Sequence, residues 1–467
     1  MIPKGPRGSC PRRKEAAMEL VITGGTVVTP EGVFEADIGI REGRIAAVGQ
    51  GLSGRRRMEA QGRLVTPGGV DVHVHLQYRV GGLDTADDFA SGSRAAVLGG
   101  TTTFLDFVET RPGQTMLEAL QSRRQQAEGQ SVADFGFHMT IQPPDLENID
   151  QVAGVVEAGC PTFKHYMAYG FCLDDGQLLT SFRALAAAGG MALVHAENWD
   201  VIRRLIAESL EAGQVHPRMH LRCRPAAFEG QAAGRALDLA ELTGTPVYLF
   251  HVTCVEVVER LAAARSRGLE AWGETCPQYL CLDEEVFERL GPLPICSPPI
   301  REKAQQQSLQ RALLRGDLQV VSTDHCPFSS AQKQVAADFS RVPGGIPALE
   351  SRMMLVRNLP GMTLPRWVDV CCTTPARVMG LTRKGRIQPG CDADLVIWDP
   401  LARRTLGPEN LHENVDWSPF AGIPVRGVPE TVLRRGEVVV SEGRLVAEEG
   451  GGVFQERRLG GSEGQED

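Results

Sequence analysis

The sequence predicts an α/β protein: a (β/α)8 barrel of the TIM type with a small β-sandwich domain built from both chain ends. Apolar segments of strand length alternate with helical segments over residues 66–384, and polar residues stand where the central strands end. Short strands separated by glycine turns flank this region on both sides. We therefore expect a barrel over 66–384 and a β-sandwich from 19–65 and 385–447.

Composition excludes several classes of protein. The 467 residues carry a formal net charge of −9, which disfavours a polyanion partner such as nucleic acid. No apolar run reaches the roughly 20 uncharged residues of a membrane-spanning helix. The 12 cysteines show no disulfide framework, and the first residues do not resemble a signal peptide, so a cytoplasmic protein with reduced thiols is expected.

Both extreme ends are predicted to be disordered. Residues 1–18 are rich in proline, glycine and basic residues, and residues 448–467 are rich in glycine and glutamate. Inward of these tails, the strand-like segments of residues 19–65 and 385–447 cannot close a core separately. Their pairing across the two chain ends is therefore favoured.

Eight strands are predicted in the central region: Val70–His75, Thr101–Phe107, Phe135–Met139, Thr162–Met167, Ala192–His195, Val247–His251, Glu270–Glu274 and Val320–Asp324. Segments with an apolar spacing of 3.6 residues, such as 178–188 and 255–264, predict helices between them. A parallel barrel carries its active site at the carboxyl ends of its strands, so the polar residues there are the first candidates.

The first of these strands carries two histidines. In an extended strand His73 and His75 point to one face, while Val72, Val74 and Leu76 point to the other. Two imidazoles on one face form half of a metal site. The alternative is a pair of core histidines satisfied by hydrogen bonds.

Further candidate ligands occur in other strands. Lys164 lies in the fourth, His195 ends the fifth, His251 ends the sixth and Asp324 ends the eighth. Neutral imidazoles with a carboxylate favour zinc or a similar divalent ion. The set is larger than one tetrahedral ion with an open position requires, which suggests two ions.

Lys164 is the unusual member, because two cations would repel its ammonium group. After deprotonation and reaction with carbon dioxide, its carbamate would offer two oxygens to two metals. The alternative is a strand-end lysine that reaches water. His138 and His165 are expected to have structural or supporting roles. The last group of histidines falls in loops or helices, where solvated side chains are common: His216, His220 and His412.

The segments that carry this pattern are His73-Val74-His75, Lys164-His165-Tyr166-Met167-Ala168-Tyr169, Val194-His195-Ala196-Glu197-Asn198, His251-Val252-Thr253 and Ser322-Thr323-Asp324-His325-Cys326-Pro327-Phe328. In this order they resemble the amidohydrolase superfamily, and within it the dihydropyrimidinase and hydantoinase branch. The likeness covers nearly all of residues 19–445. A single HxH motif is weak, whereas the ordered series is specific.

The resemblance implies a zinc enzyme that opens 5,6-dihydropyrimidines or hydantoins to N-carbamoyl amino acids, by attack of a hydroxide that bridges two metals. One zinc ion would be held by His73, His75, carboxylated Lys164 and Asp324, and the other by Lys164, His195 and His251. Asp324 would also move the proton, and Tyr169 would donate to the tetrahedral oxyanion. Ser297 and the backbone near Gly344 would bind the ring, and the family suggests a homotetramer.

Two departures leave the substrate substituent open. Tyr78-Arg79-Val80 stands where relatives usually carry a segment like Met-Pro-Phe, and Gly344 stands where they often carry asparagine. Arg79 could favour an anionic substituent.

Three alternatives are weaker. Gln77 stands where dihydroorotase-like enzymes commonly carry arginine, and allantoinase-like enzymes usually lack the Met167–Tyr169 segment, which is present here. A non-catalytic scaffold would have lost metal ligands, but every ligand position is occupied.

Overall fold

The computed structural model describes residues 17–80 and 82–460. The strands in this range are β1 Met18–Thr29, β2 Gly32–Arg41, β3 Arg44–Gly49, β4 Gly54–Glu59, β5 Leu64–Pro67, β6 Gly69–Asp71, β7 Arg79–Val80, β8 Leu83–Asp84, β9 Thr101–Val108, β10 Asp134–Thr140, β11 Thr162–Tyr166, β12 Met191–His195, β13 Val247–Leu249, β14 Ala271–Thr275, β15 Val320–Val321, β16 Leu395–Thr405, β17 Pro424–Arg434, β18 Glu437–Ser441 and β19 Arg444–Leu445.

The α-helices are α1 Phe89–Leu98, α2 Met116–Ala127, α3 Val152–Glu157, α4 Asp175–Ala188, α5 Trp199–Glu211, α6 Met219–Arg222, α7 Ala226–Thr243, α8 Val255–Ser266, α9 Pro277–Cys281, α10 Val286–Leu290, α11 Lys303–Arg315, α12 Ser330–Gln334, α13 Arg352–Arg357, α14 Leu364–Val368 and α15 Thr374–Val378. Short 3-10 helices lie at Pro143–Gln151, Phe339–Arg341 and Pro408–Asn410, and a π-helical turn lies at Asp369–Thr373.

Helix α4 illustrates how local sequence sets these elements. Asp174 accepts a hydrogen bond from the backbone of Gln177, whose side chain in turn accepts from the backbone of Asp174, so the helix begins with a capping box. The helix ends at Gly189, where φ is +70° and glycine avoids the strain of the left-handed region. Phe182 and Leu185, on one face, are fully buried towards the barrel.

The barrel predicted from the sequence is confirmed. Eight parallel strands pair in the order β15-β14-β13-β12-β11-β10-β9-β6. A parallel bridge between Val74 and His325 links the segment after β6 to the segment after β15, which nearly closes the ring. The carboxyl ends of all eight strands therefore face one opening.

The two chain ends pair as predicted. Nine strands share one hydrogen-bonded sheet in the order β19-β18-β17-β16-β5-β1-β2-β3, with β4 beside β1. Antiparallel pairing of β5 with β16, which sets Leu64 opposite Trp398, joins the N-terminal and C-terminal parts. Ile22 and Ile38 from the first part pack with Leu395 and Leu433 from the second in a common core.

Several barrel strands end earlier than predicted. β6 stops at Asp71, β13 at Leu249 and β15 at Val321. His251 and Asp324 have φ values of +40° and +52°, and a strand cannot continue through residues in the left-handed region. Four of the six candidate ligands, His73, His75, His251 and Asp324, therefore lie in the first turns beyond the strands, whereas Lys164 and His195 lie within β11 and β12.

The chain after residue 448 also differs from the prediction. Residues 448–460 are not a disordered tail but pack against the amino end of the barrel, where Phe454 forms a bridge with Phe135. The guanidinium of Arg457 is buried and donates to the carbonyls of Phe137 and Met379 and to the hydroxyl of Thr162. Composition alone did not reveal these partners. The predicted disorder of residues 1–16 and 461–467 lies outside the described residues, and β1 already begins at Met18.

Candidate active site

His73, His75 and Asp324 converge at the carboxyl end of the barrel. The Nε2 atoms of both histidines lie 3.1 Å from Oδ1 of Asp324, and the three candidate ligand atoms all fall within 4.8 Å of one another. The extended backbone after β6 places both imidazoles on the same side, as predicted. Burial alone would raise the pKa of Asp324, but His73, His75 and Lys164 outweigh it and hold that pKa below its usual value.

A second pair of imidazoles stands beside this group. Nδ1 of His195 lies 2.8 Å from Nε2 of His251, and the ring of His251 is 5.4 Å from the ring of His73, measured between centroids. Both side chains are buried. The four predicted histidine ligands therefore come together in one cluster.

Carboxylates hold the far sides of two of these rings. Nδ1 of His73 lies 2.8 Å from Oε1 of Glu274, and Nε2 of His195 lies 2.8 Å from Oε2 of Glu197. Arg224 donates to Glu197 at 2.5 Å, and its charge helps to hold the pKa of that buried carboxylate well below its usual value. Such partners orient an imidazole so that its other nitrogen faces a metal.

Lys164 lies beneath the histidines in β11 and is 1 % exposed. Its Nζ atom is 4.0 Å from the ring centroid of Phe250 and 4.8 Å from that of Tyr166. Burial lowers the pKa of the amine to about 7, although the carboxylates of Asp324 and Glu274 oppose the shift. The alternative prediction, that Lys164 is a strand-end lysine that reaches water, is therefore wrong.

The donor set fits a divalent metal. Imidazole nitrogens and one carboxylate oxygen are the ligands that zinc and similar ions prefer, and carboxylates already orient two of the rings. His73, His75 and Asp324 form the candidate metal group, with His195 and His251 next to it.

The predicted substrate-binding residues gather beside the metal group. The ring of Tyr169 is 5.3 Å from the ring of His195, and Ser297 is among the side chains that act on the pKa of the Tyr169 phenol. A Cβ atom built on Gly344 would lie 3.8 Å from Oγ of Ser297. These three residues therefore form one wall of the site.

Backbone strain is concentrated in this region. Gln77, Tyr169, His251 and Asp324 all have φ between +40° and +73°, a region that side chains other than glycine seldom adopt. Strained conformations of this kind persist where the surrounding structure holds them, and they are common at functional sites.

The other histidines mostly have structural contacts. His138 bonds to Thr162 at 2.7 Å and to the carbonyl of Val72 at 2.9 Å, and His165 bonds to Ser181 on helix α4 at 2.8 Å. Both therefore have the structural role expected for them.

The predicted solvation of His220 is wrong. This side chain is buried and donates through Nε2 to the carbonyl of Cys296 at 2.8 Å, which places it 3.3 Å from Ser297. His216 is exposed, and His412 is partly exposed but bonded to Glu350.

Sequence reasoning did not assign roles to the carboxylates behind the histidines. Glu274 lies in the seventh barrel strand and Glu197 follows the fifth, so the strand-end rule that selected the ligands would also have selected them. Arg224 and His220 lie in the segment around helix α6 and carry no comparable signal.

The fold and the cluster define a barrel protein with a divalent-metal site at the carboxyl ends of its strands. Comparison with known proteins agrees with this class of fold and site. The family model described as "Amidohydrolase family" matches residues 64–439, and that of the "Urease alpha-subunit, N-terminal domain" matches residues 2–68.

Relatives that are similar over nearly the whole chain show to which branch of the family it belongs. A D-hydantoinase from Streptomyces coelicolor is 42 % identical over 94 % of this chain and 97 % of its own length, and one from Geobacillus stearothermophilus is 41 % identical with the same coverage. The crystal structure of dihydropyrimidinase from Brevibacillus agri has a TM-score of 0.91 at 38 % identity, covering 94 % of this chain and 99 % of its own. The chain therefore belongs to the amidohydrolase family, among the hydantoinases and dihydropyrimidinases.

None of the helices in the described ranges combines the length and the hydropathy that a membrane crossing requires.

Proposed function

We propose that this protein is a metal-dependent hydrolase of cyclic amides that opens hydantoins or 5,6-dihydropyrimidines. The observation that carries the proposal is the convergence of His73, His75 and Asp324 with the His195–His251 pair around buried Lys164. Relatives named D-hydantoinase and dihydropyrimidinase, similar over nearly the whole chain, support it.

The reaction consumes one water molecule. Water oxygen forms a bond to the ring carbonyl carbon, and the bond between that carbon and the ring nitrogen breaks. The carbon becomes a carboxylate, and the nitrogen takes a proton and becomes the terminal amine of a carbamoyl group. The product is an N-carbamoyl amino acid.

The metal ligands would be divided between two zinc ions. His73, His75, Lys164 and Asp324 would hold one ion, and Lys164, His195 and His251 would hold the other. Bound divalent ions lower the pKa of water and polarise a carbonyl. Lys164 would participate as a carbamate, and its burial against Phe250 and Tyr166 supports this because a desolvated amine is held in its reactive neutral form.

Asp324 moves the proton in this scheme. Its Oδ1 atom stands between the two Nε2 atoms of His73 and His75, at the edge of the cluster. It accepts a proton from the attacking water and delivers it to the leaving ring nitrogen. Its left-handed backbone directs the carboxylate away from the strand direction and into the cluster.

The wall formed by Tyr169, Ser297 and Gly344 binds the ring. Tyr169 donates its hydroxyl proton to the oxyanion that develops on the attacked carbonyl, and burial keeps this phenol protonated by raising its pKa. Ser297 and the backbone at Gly344 bind the cyclic ureide. We further propose a homotetrameric assembly in a reducing cytoplasm, consistent with the free cysteines among the described residues.

The test is turnover by the purified protein, with metal content measured on the same sample. The panel is dihydrouracil, hydantoin, a 5-aryl hydantoin, allantoin and dihydroorotate. Ring opening of the first three with about two zinc ions per chain is expected. Activity on allantoin or dihydroorotate alone would show that the proposed substrate class is wrong. Absence of both metal and turnover would overturn the whole proposal. Sedimentation velocity would test the tetramer.

A further inference from the structure

A carboxylate that the catalytic scheme does not use lies at the rim of the site. Glu109 is the first residue after β9, so it stands at the carboxyl end of a barrel strand, where the ligands also lie. The hydroxyl of Tyr78 donates to Oε1 of Glu109. The ring of Tyr78 is in turn 5.0 Å from the ring of His75. Glu109 is therefore one side chain removed from the metal group.

The surroundings of Glu109 indicate that it faces open space. Tyr78, Glu109 and Tyr166 are each partly exposed, whereas His73, His75 and Lys164 behind them are buried. The ring of Tyr166 is 5.7 Å from His195 and 6.1 Å from Tyr169. These three partly exposed residues thus line the approach to the metal group.

The charge of Glu109 is not neutralised by a direct ion pair. Among residues 17–80 and 82–460, Tyr78 is its only hydrogen-bond donor, and no lysine or arginine forms a salt bridge with it. Arg123, which lies within electrostatic range, is paired with Asp106 at 3.1 Å. At least one carboxylate oxygen of Glu109 is therefore free to accept a hydrogen bond from a bound molecule.

Arg79, the cation that the sequence analysis connected with the substrate substituent, does not face the metal group. The side chain of Arg79 is 70 % exposed on the β7–β8 hairpin, donates to the carbonyl of Gly82 and approaches Asp84 at 3.9 Å. It is thus engaged on the outer surface of the hairpin. The polar pair that contacts the histidines on this side is Tyr78 and Glu109, through the ring of Tyr78 beside His75.

We propose that Glu109, positioned by Tyr78, selects the substituent that the cyclic substrate carries outside its ring. It favours neutral or cationic substituents that donate a hydrogen bond and disfavours carboxylates, because two like charges in a partly buried site repel each other. This inference rests on the proposed ring-opening activity and specifies its substrate class.

The test compares two substrates that differ in one group. 5-(Carbamoylmethyl)hydantoin and 5-(carboxymethyl)hydantoin have the same size and shape, but the first presents an amide donor and the second an anion. We expect the wild-type kcat/KM to be higher for the amide by about tenfold or more. In Glu109→Gln the ratio should fall to within about threefold of unity, because the amide side chain removes the charge yet still accepts from Tyr78.

Two further variants make the ratio interpretable. Glu109→Leu removes the acceptor altogether and should also lower the ratio. Asp84→Asn removes one negative charge from the neighbouring hairpin, where the side chain is 73 % exposed, and should leave the ratio at its wild-type value. Unfolding midpoints and metal content are measured for every variant. Each ratio is internal to one variant, so a partial loss of active enzyme does not affect it.

The outcomes separate this inference from the proposed function. A wild-type preference for the carboxylate, or a ratio that Glu109→Gln and Glu109→Leu leave unchanged, would overturn the role of Glu109 while ring opening stands. A ratio that changes in Arg79→Gln but not in Glu109→Gln would assign selection to Arg79 and also overturn it. Failure of the wild type to open hydantoin and dihydrouracil would overturn both.

Discussion

His325 and Asp87, 238 residues apart in the sequence, form a fully buried pair in which Nε2 lies 3.0 Å from Oδ2. The other ring nitrogen accepts from the backbone of Ala348, so Nε2 carries the proton that it donates to Asp87. Because His325 follows Asp324 directly, the pair attaches Asp324, the proposed catalytic aspartate, to the loop before helix α1. It thereby helps to hold the left-handed backbone of Asp324.

Replacement of the Asp87 carboxylate should strongly destabilise the folded protein. In Asp87→Ala the buried imidazole loses its acceptor, and the backbone of Asn414 loses the acceptor that it uses at 3.0 Å. We expect the free energy of unfolding to fall by about 3 kcal/mol or more, measured by urea denaturation. Asp84→Ala, on the exposed hairpin, is the matched control and should change it by less than about 0.5 kcal/mol. Equal effects would show that burial of the pair is not the cause.

Lys164→Ala should lose metal and activity together. The variant removes the amine that would become the carbamate, and alanine offers no ligand. A short carboxylic acid supplied with zinc should restore part of the turnover, since its two oxygens can enter the vacated space. Metal analysis and turnover with and without the acid are the measurements. Full activity without rescue would contradict the carbamate ligand.

Asp324→Asn should give a folded protein with very low turnover. The amide is nearly isosteric with the carboxylate but cannot accept and return a proton, and loss of general acid–base catalysis costs about 10²- to 10⁴-fold. Circular dichroism should match the wild type while kcat falls. Turnover close to the wild type would remove Asp324 from the proton-transfer role.

The contact between His412 and Glu350 predicts a pH-dependent contribution to stability. The hydrogen bond to Glu350, 3.0 Å from Nδ1, raises the pKa of His412 above its usual value. The folded state therefore binds the proton more tightly than the unfolded state does. The stabilisation is fully present below the unfolded pKa of about 6.5 and is lost as pH rises through the higher folded pKa.

Urea unfolding from about pH 5.5 to 8.5 tests this sign. The difference in unfolding free energy between wild type and His412→Gln should be largest at the acid end and should decline as pH rises. His216→Gln removes an exposed imidazole whose ring nitrogen accepts from the Arg218 backbone, and it serves as control. The same slope in both variants would exclude Glu350 as the cause.

The strand-end rule predicted which candidate ligands come together, because each of them lies in a barrel strand or in the turn that follows one. His195 at the end of β12 and Lys164 within β11 follow from local patterns and barrel geometry. The exact ends of strands were not predictable in this way. The left-handed backbones of His251 and Asp324 depend on contacts that the local sequence does not specify, such as the contact of His325 with the distant Asp87.

Contacts between distant segments account for the remaining differences. Glu274 meets His73 across 201 residues, and His220 meets the carbonyl of Cys296 across 76 residues. Side-chain type is compatible with several partners, and only tertiary packing selects one. For the same reason composition suggested a disordered end, whereas Arg457 finds buried acceptors in the barrel.

The hydrogen bond between Arg457 and Phe137 joins two segments that are synthesised at different times. Its guanidinium donates to the carbonyl of Phe137, which is made 320 residues earlier. At translation rates of roughly 5–20 residues per second, that carbonyl waits about 15 to 65 s for its donor. The amino end of the barrel therefore lacks this contact at least until Arg457 has been synthesised.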